Sequence, residues 1–189
     1  MTDETMQSDA PLTSGRESVR SEAEKGTAEE GYALAGRTFT VDRPREELYA
    51  FWRDFSNLPR FMENIEEVRV ADETRSHWVV RGPAGESVEW DAIITEDEPG
   101  RRFSWESTEG AMIRNRGTVE FLDGPAGRGT WVRATIAYDP PGSALGKWVA
   151  KLFQAEPKLQ VRRDLRRFKQ LMETGEVSTS RPPSAAPRA

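Results

Sequence analysis

Cysteine is absent from this chain of 189 residues, which excludes disulfides, thiolate nucleophiles and cysteine ligands for a metal. Histidine occurs once, so no histidine pair is available for a metal centre. No run of about 18 apolar residues occurs, so we expect no transmembrane helix. The acidic N-terminus lacks the basic and apolar regions of a signal peptide. We therefore expect a cytoplasmic protein that has neither a metal nor another cofactor.

Large apolar residues are concentrated in the middle of the chain. Only 36% of all residues are hydrophobic, yet six tryptophans and eight phenylalanines need a core. Residues 1–31 hold eight acidic and three basic residues. Their net charge is therefore −5, which is also the net charge of the whole chain. We predict a disordered acidic arm at 1–31, one domain at 32–174 and a disordered tail at 175–189. The remainder is neutral overall, so its charge gives no case for nucleic-acid binding.

Alternating apolar and polar residues predict a sheet with one buried face. In segment 87–96, Val88, Trp90 and Ala92 share one face, while Glu89 and Asp91 share the other. Similar segments are separated by turn-forming residues, as in an antiparallel meander. With a first strand at 33–41, the predicted strands are 33–41, 64–71, 77–82, 87–96, 102–108, 114–122 and 130–138.

Three helices are predicted around this sheet. Pro44 suits a first helical turn, and Leu48, Phe51, Trp52 and Phe55 follow at helical spacing. Pro59 lies near the start of a second, short helix at about 57–62. The longest helical pattern covers 143–173, and Pro157 predicts a kink near Glu156.

Several short sequence motifs occur in a characteristic order. They are PREELYAFWRDF (44–55), NLPRFM (57–62), WDA (90–92), RFSW (102–105), RGTVEF (116–121), YDPPG (138–142) and DLRRFK (164–169). With the element order, they resemble the START/Bet v 1-like (SRPBCC) superfamily, in its polyketide cyclase/dehydrase or coenzyme Q-binding START-like branch. The resemblance covers about 32–176.

The resemblance implies an α+β helix-grip fold. In this fold a curved seven-stranded antiparallel sheet surrounds a long C-terminal helix, and two short helices follow strand 1. It also implies a deep cavity between the sheet and the long helix, which takes lipids, quinones, polyketides or hormones. The candidate ligand-binding residues are the inward-facing ones: Phe55, Phe61, Val80, Trp90, Phe103, Trp105, Asn115, Val119, Tyr138, Leu145, Val149 and Leu152.

Two polar features could carry a different chemistry. His77 is the only histidine, and at a strand start beside a polar turn it fits a surface position better than a general base. Arg162, Arg163, Arg166 and Arg167 crowd one stretch of the last helix. They fit a solvated helical face, or a peripheral contact with an anionic membrane.

No catalytic set is evident, so we assign no catalytic residue. The leading hypothesis is a binding or carrier module for a hydrophobic small molecule, such as a lipid, a quinone or a polyketide-like compound. One alternative is a polyketide cyclase or dehydratase, which needs a polar group deep in the cavity. Another is a module that interacts with a membrane or with protein partners through the acidic arm and the basic helix.

Overall fold

One antiparallel sheet of seven strands dominates the fold. A computed structural model describes residues 33–81, 87–111, 113–138 and 157–178. The strands are β1 (Ala33–Val41), β2 (Ile65–Val70), β3 (Arg75–Arg81), β4 (Ser87–Glu98), β5 (Arg102–Ser107), β6 (Asn115–Asp123) and β7 (Thr130–Tyr138). Their order is β1-β7-β6-β5-β4-β3-β2. The helices are α1 (Arg45–Arg53), α2 (Pro157–Thr174) and the 3-10 helices Phe55–Arg60 and Pro125–Gly127. The predicted α+β helix-grip fold is confirmed.

The sheet buries one face, as the alternation predicts. Along β6, every second residue from Asn115 to Phe121 is buried, and the residues between them are partly exposed. The same pattern places Ser76, Trp78 and Val80 of β3 on the inner face. The inner face therefore combines side chains from the whole sheet into one core.

β3 begins two residues earlier than the sequence predicts. Oδ1 of Asp72 accepts hydrogen bonds from the backbone amides of Thr74 and Arg75, both at 2.8 Å. This Asx-type turn is complete by Thr74, so Arg75 and Ser76 pair with β4 instead of belonging to the turn. Ser76 is buried on the inner face as a result.

The short helices close one end of the sheet. Leu48 and Trp52 form the buried stripe of α1, while Glu46 and Glu47 occupy its first turn. Asp54 ends α1 and caps the 3-10 helix Phe55–Arg60, accepting a hydrogen bond from the Ser56 amide at 3.1 Å. The chain therefore turns sharply, and both helices face the core.

The C-terminal half of α2 is fixed to the end of β1. Lys169 Nζ donates to the Thr40 carbonyl at 2.6 Å, and the Asp42 amide donates to Glu173 Oε1 at 2.7 Å. Between these contacts and the sheet, Phe168 is fully buried against Trp52, with ring centroids 4.6 Å apart. This anchoring positions the preceding turns of α2 over the inner face of the sheet.

The edge strand β2 is irregular and charged. A bulge shifts its register with β3 between Ile65 and Glu67. Arg69 pairs with Glu67 at 2.8 Å, and Glu66 pairs with Arg81 of β3 at 3.1 Å. The outward side of this edge is therefore charged at Glu66, Glu67 and Arg69, whereas Val70 at its end is an exposed apolar residue.

Several predictions concern residues outside the described part of the chain. They are the acidic arm at 1–31, the helix at 143–156 with its kink near Glu156, and the tail beyond Ser178. The described helix α2 begins at Pro157, and Val177, within the predicted tail, packs against the core. No helix among the described residues is long and apolar enough to span a membrane.

Candidate functional site

A cavity of about 100 Å³ lies between the inner face of the sheet, α1 and α2. Among the described residues its wall is almost entirely apolar, and its polar members are two asparagines, a glutamine and an aspartate. The described lining residues are Trp52, Leu58, Met62, Asn64, Ile65, Trp78, Val80, Trp90, Trp105, Ile113, Asn115, Ala134, Ile136, Gln160, Val161, Asp164 and Leu165. Such a wall suits an apolar ligand that a few polar groups orient.

Three parallel indole rings form part of the wall. Trp78 on β3 lies opposite Trp90 on β4, with ring centroids 6.0 Å apart and planes 17° apart. Trp105 on β5 stacks on Trp78 at 6.2 Å and 16°. Trp105 also lies against Gly117 of β6, where a Cβ atom would come within 2.3 Å of the ring. Glycine at this strand position therefore makes room for the indole.

Among the described residues of the cavity wall, three carry a buried side-chain N–H group that has no hydrogen-bond partner. These groups are Nε1 of Trp52, Nε1 of Trp90 and Nδ2 of Asn115, and all three residues line the wall. By contrast, Trp78 Nε1 donates to Ser76 Oγ at 2.9 Å. A buried donor without a partner costs about 1–3 kcal/mol, so three on one cavity favour a bound acceptor.

Asp164 of α2 is the ionisable group of the cavity wall among the described residues. Its side chain is buried and accepts a hydrogen bond from Gln160 Nε2 at 2.9 Å. Burial raises the pKa of Asp164 to about 7, against the lowering effects of Gln160, the Glu63 backbone amide and Arg167. A carboxyl with this pKa can give or take a proton near neutral pH.

The predicted ligand-binding residues fall into three groups. Val80, Trp90, Trp105 and Asn115 line the cavity. Phe55, Phe61, Phe103 and Val119 are buried in the core but not in the cavity wall. Leu145, Val149 and Leu152 lie outside the described residues, as does the side chain of Tyr138, whose backbone pairs with Ala33 and Asn115.

Ring packing explains why the phenylalanines do not reach the cavity. Phe55 lies beneath the indoles, with its ring centroid 5.2 Å from that of Trp78 and 5.8 Å from that of Trp105. Phe61 packs between Trp52 and Phe168 at 5.1 and 5.0 Å. These rings support the wall from behind, so an inward-facing position does not by itself place a residue in the cavity.

His77 lies on the outer face of the sheet, away from the cavity. Its ring nitrogens are 2.8 Å from Asp91 Oδ1 and 3.3 Å from Glu89 Oε2. Because neighbouring strand residues point to opposite faces, the inward position of Trp78 sends His77 outward. The surface interpretation of His77 therefore holds, and no group of described residues could hold a metal ion.

The arginines of α2 divide into two kinds. Arg162, Arg163 and Arg166 are exposed, whereas Arg167 pairs with Glu63 Oε2 at 3.2 Å. Contact with an anionic membrane therefore remains a prediction, and the three exposed arginines are the residues that would make it. The cavity lies on the opposite side of the helix, where Val161 and Leu165 face the sheet.

Sequence reasoning missed Asp164 and Gln160 as cavity residues. A helical stripe through Val161, Leu165, Phe168 and Met172 includes position 164 by its spacing. A charged residue on an otherwise apolar helix face is therefore the sequence signal that identifies Asp164 as a cavity residue.

Comparisons with known proteins agree with this architecture. The sequence profile of the family described as "Polyketide cyclase / dehydrase and lipid transport" matches residues 41–166. An uncharacterized 17.2 kDa protein of Streptomyces lincolnensis is 33% identical over 135 residues, covering 70% of this chain and 85% of that protein.

Solved structures show the same fold. A crystal structure from Deinococcus radiodurans is similar with a TM-score of 0.62 and 39% identity, covering 76% of this chain and 99% of that one. A START superfamily protein from Mycobacterium smegmatis has a TM-score of 0.51 at 12% identity, covering 72% of this chain and 99% of the other. The second similarity concerns the fold alone. It confirms the START-like architecture that the sequence motifs indicate.

Proposed function

Because this chain belongs to the polyketide cyclase/dehydrase and lipid transport family, we propose that it binds or carries a hydrophobic small molecule that contains a hydrogen-bond-accepting oxygen. The ligand occupies the cavity between the sheet and α2. Its apolar part contacts the aliphatic and indole wall, and its oxygen meets the unpartnered donors.

The three unpartnered donors are the observation that carries this proposal. Trp52, Trp90 and Asn115 come from α1, β4 and β6, so three separate elements each contribute to the cavity wall a residue whose buried N–H group has no partner. A core evolved only for packing would place apolar atoms there, because each unpaired donor lowers stability. A carbonyl, ether or quinone oxygen would supply an acceptor for such donors.

The size of the cavity favours a small ligand, or a small part of a larger one. An engineered protein cavity of about 150 Å³ holds one benzene molecule, and drug-sized ligands occupy about 300–1,000 Å³. The cavity here, at about 100 Å³, is smaller than that benzene-binding cavity, so a compact five-membered ring is the suitable probe. A lipid, quinone or polyketide would enter beyond this ring only if wall side chains moved.

A matched pair of probes tests the role of the donors. Cyclopentanone and methylenecyclopentane have nearly the same shape, but only the ketone accepts a hydrogen bond. We expect Asn115→Leu to weaken ketone binding about two- to tenfold, the equivalent of one net hydrogen bond. Binding of the alkene should stay the same or improve. Titrations followed by the tryptophan indole N–H signals of ¹⁵N-labelled protein measure both affinities.

Thr118→Val is the matched control, since Thr118 lies on the same strand but points to the outer face, where it bonds to Ser104. In this variant both affinities should equal those of the unchanged protein. If Asn115→Leu leaves the ketone affinity unchanged, or if neither probe binds, the proposed site is wrong.

A second candidate function is acid–base catalysis by a cyclase or dehydratase. Asp164 favours it, because a buried carboxyl on the cavity wall with a pKa near 7 can move a proton next to a ligand carbonyl. Binding remains the first proposal, since the described cavity contains one acid–base group and a cyclase or dehydratase transfers several protons.

Proton exchange on a simple ketone separates the two candidates. In D₂O, an enzyme of this class should accelerate loss of the NMR signals of the protons next to the carbonyl of cyclopentanone. Asp164→Asn should abolish that acceleration while ketone binding persists. A loss rate equal to that in buffer alone would remove the enzyme candidate and leave binding intact.

A further inference from the structure

We propose that Asp164 binds the ligand as a neutral carboxyl group, which donates its O–H to the ligand oxygen, so that the ligand is taken up together with a proton. This inference rests on the proposed function and narrows the ligand to a carbonyl-type acceptor.

The position of Asp164 supports direct contact with a ligand. Asp164 lines the cavity on the α2 side, and the residue is only 9% exposed. One oxygen, Oδ1, accepts from Gln160 Nε2 at 2.9 Å, and the backbone amide of Glu63 also donates to the carboxyl. These contacts hold the carboxyl in place against the wall.

Among the described residues, the charges around Asp164 do not balance an ionised carboxylate. Arg167 is the cation that faces it from α2, and Glu63 is the acid that faces it from the turn before β2. The guanidinium of Arg167 is already paired with Glu63 at 3.2 Å. Across the cavity, the described side chains of the sheet wall are apolar groups, indoles and the Asn115 amide. Burial therefore dominates, and it raises the pKa of Asp164 to about 7.

The neutral carboxyl completes a set of donors. Trp52, Trp90 and Asn115 offer N–H groups without partners, and protonated Asp164 would add an O–H. A carbonyl oxygen has two lone pairs, so it can accept from the Asp164 O–H and from one of these N–H groups. Ionised Asp164 would instead place a negative charge against those lone pairs in a water-poor cavity. The protonation state of one residue therefore decides whether a carbonyl ligand fits.

The pH dependence follows with a definite sign. If only the protonated form binds, affinity is constant well below the pKa and decreases tenfold for each pH unit above it. With a pKa of about 7, we expect the Kd for cyclopentanone to be flat below about pH 6 and to rise steeply above pH 7. Methylenecyclopentane, which has no acceptor, should bind with little change over the same range.

Asp164→Asn is the decisive variant, because its amide donates a hydrogen bond at every pH. We expect its Kd for cyclopentanone to stay constant from pH 5.5 to 8.5, and to equal the low-pH value of the unchanged protein within a few fold. Unfolding midpoints at each pH establish that both proteins are folded. If the variant does not fold, the ratio of ketone to alkene Kd in the unchanged protein decides alone.

Two results would overturn the inference. One is ketone binding to the unchanged protein that does not depend on pH, and the other is an equally steep dependence in Asp164→Asn. In both cases the ketone still binds, so the proposed binding function survives. Absence of ketone binding at every pH in both proteins would instead contradict the proposed function itself.

Discussion

Phe168→Ala is expected to lower the free energy of unfolding by about 3–5 kcal/mol, the range for a buried phenylalanine that leaves a cavity. Phe168 is 0% exposed, and its ring contacts Phe39, Phe51, Trp52 and Phe61 with centroids 4.6–6.2 Å away. It joins α2 to β1, to α1 and to the residue that follows the 3-10 helix Phe55–Arg60. Alanine would remove the shared partner of all four rings, and they cannot close the gap without moving the backbone.

Urea unfolding followed by tryptophan fluorescence measures this loss. Arg166→Ala is the control on the same helix, since Arg166 is exposed, and its effect should stay within about 0.5 kcal/mol. A loss below about 1 kcal/mol for Phe168→Ala would mean that α2 does not pack on the sheet as described.

Gly129→Ala is expected to cost about 2–5 kcal/mol, from two causes that act together. Gly129 has a positive φ of 71°, which costs an alanine about 1–2 kcal/mol. A Cβ atom there would also lie 2.2 Å from the Val41 carbonyl oxygen and 2.7 Å from Asp42 Cα. Overpacking against backbone adds about 1–3 kcal/mol, because backbone atoms cannot rotate away. The end of β1 would have to separate from β7.

Gly127→Ala provides the matched comparison. Gly127 lies two residues earlier and has nearly the same φ, 69°, but no atom lies within 4 Å of a Cβ placed there. We expect a loss of only about 1–2 kcal/mol, from conformation alone. Chemical denaturation of both variants under the same conditions gives the difference. Equal losses would show that the close approach of Val41 has no energetic consequence.

The sequence predicts the sheet well because the alternation of apolar residues is a local signal. β1 and β7 have the predicted bounds, and β6 differs from prediction by one residue at each end. The start of β3 was misplaced because a single side chain, Asp72, completes the turn in three residues. A polar segment alone does not reveal such a short turn.

The site was harder to predict because a cavity forms where side chains of several elements leave space between them, and this depends on tertiary packing. Trp90 and Phe103 both point inward, but only Trp90 lines the cavity, while Phe103 packs against Phe55. Alternation assigns the face of a strand and cannot separate these two cases. Asp164 could have been found from its place on the apolar stripe of the last helix, whereas its high pKa depends on burial that only tertiary packing produces.

The bulged, charged edge strand has a consequence for self-association. An open sheet exposes unpaired backbone groups at its edges, and another chain can add to them as a further strand. At β2, the bulge at Ile65–Glu67 disrupts a regular row of donors and acceptors, and the ion pairs of Glu66 and Glu67 surround it with charge. This edge therefore opposes strand addition and protects a tryptophan-rich sheet against edge-to-edge aggregation.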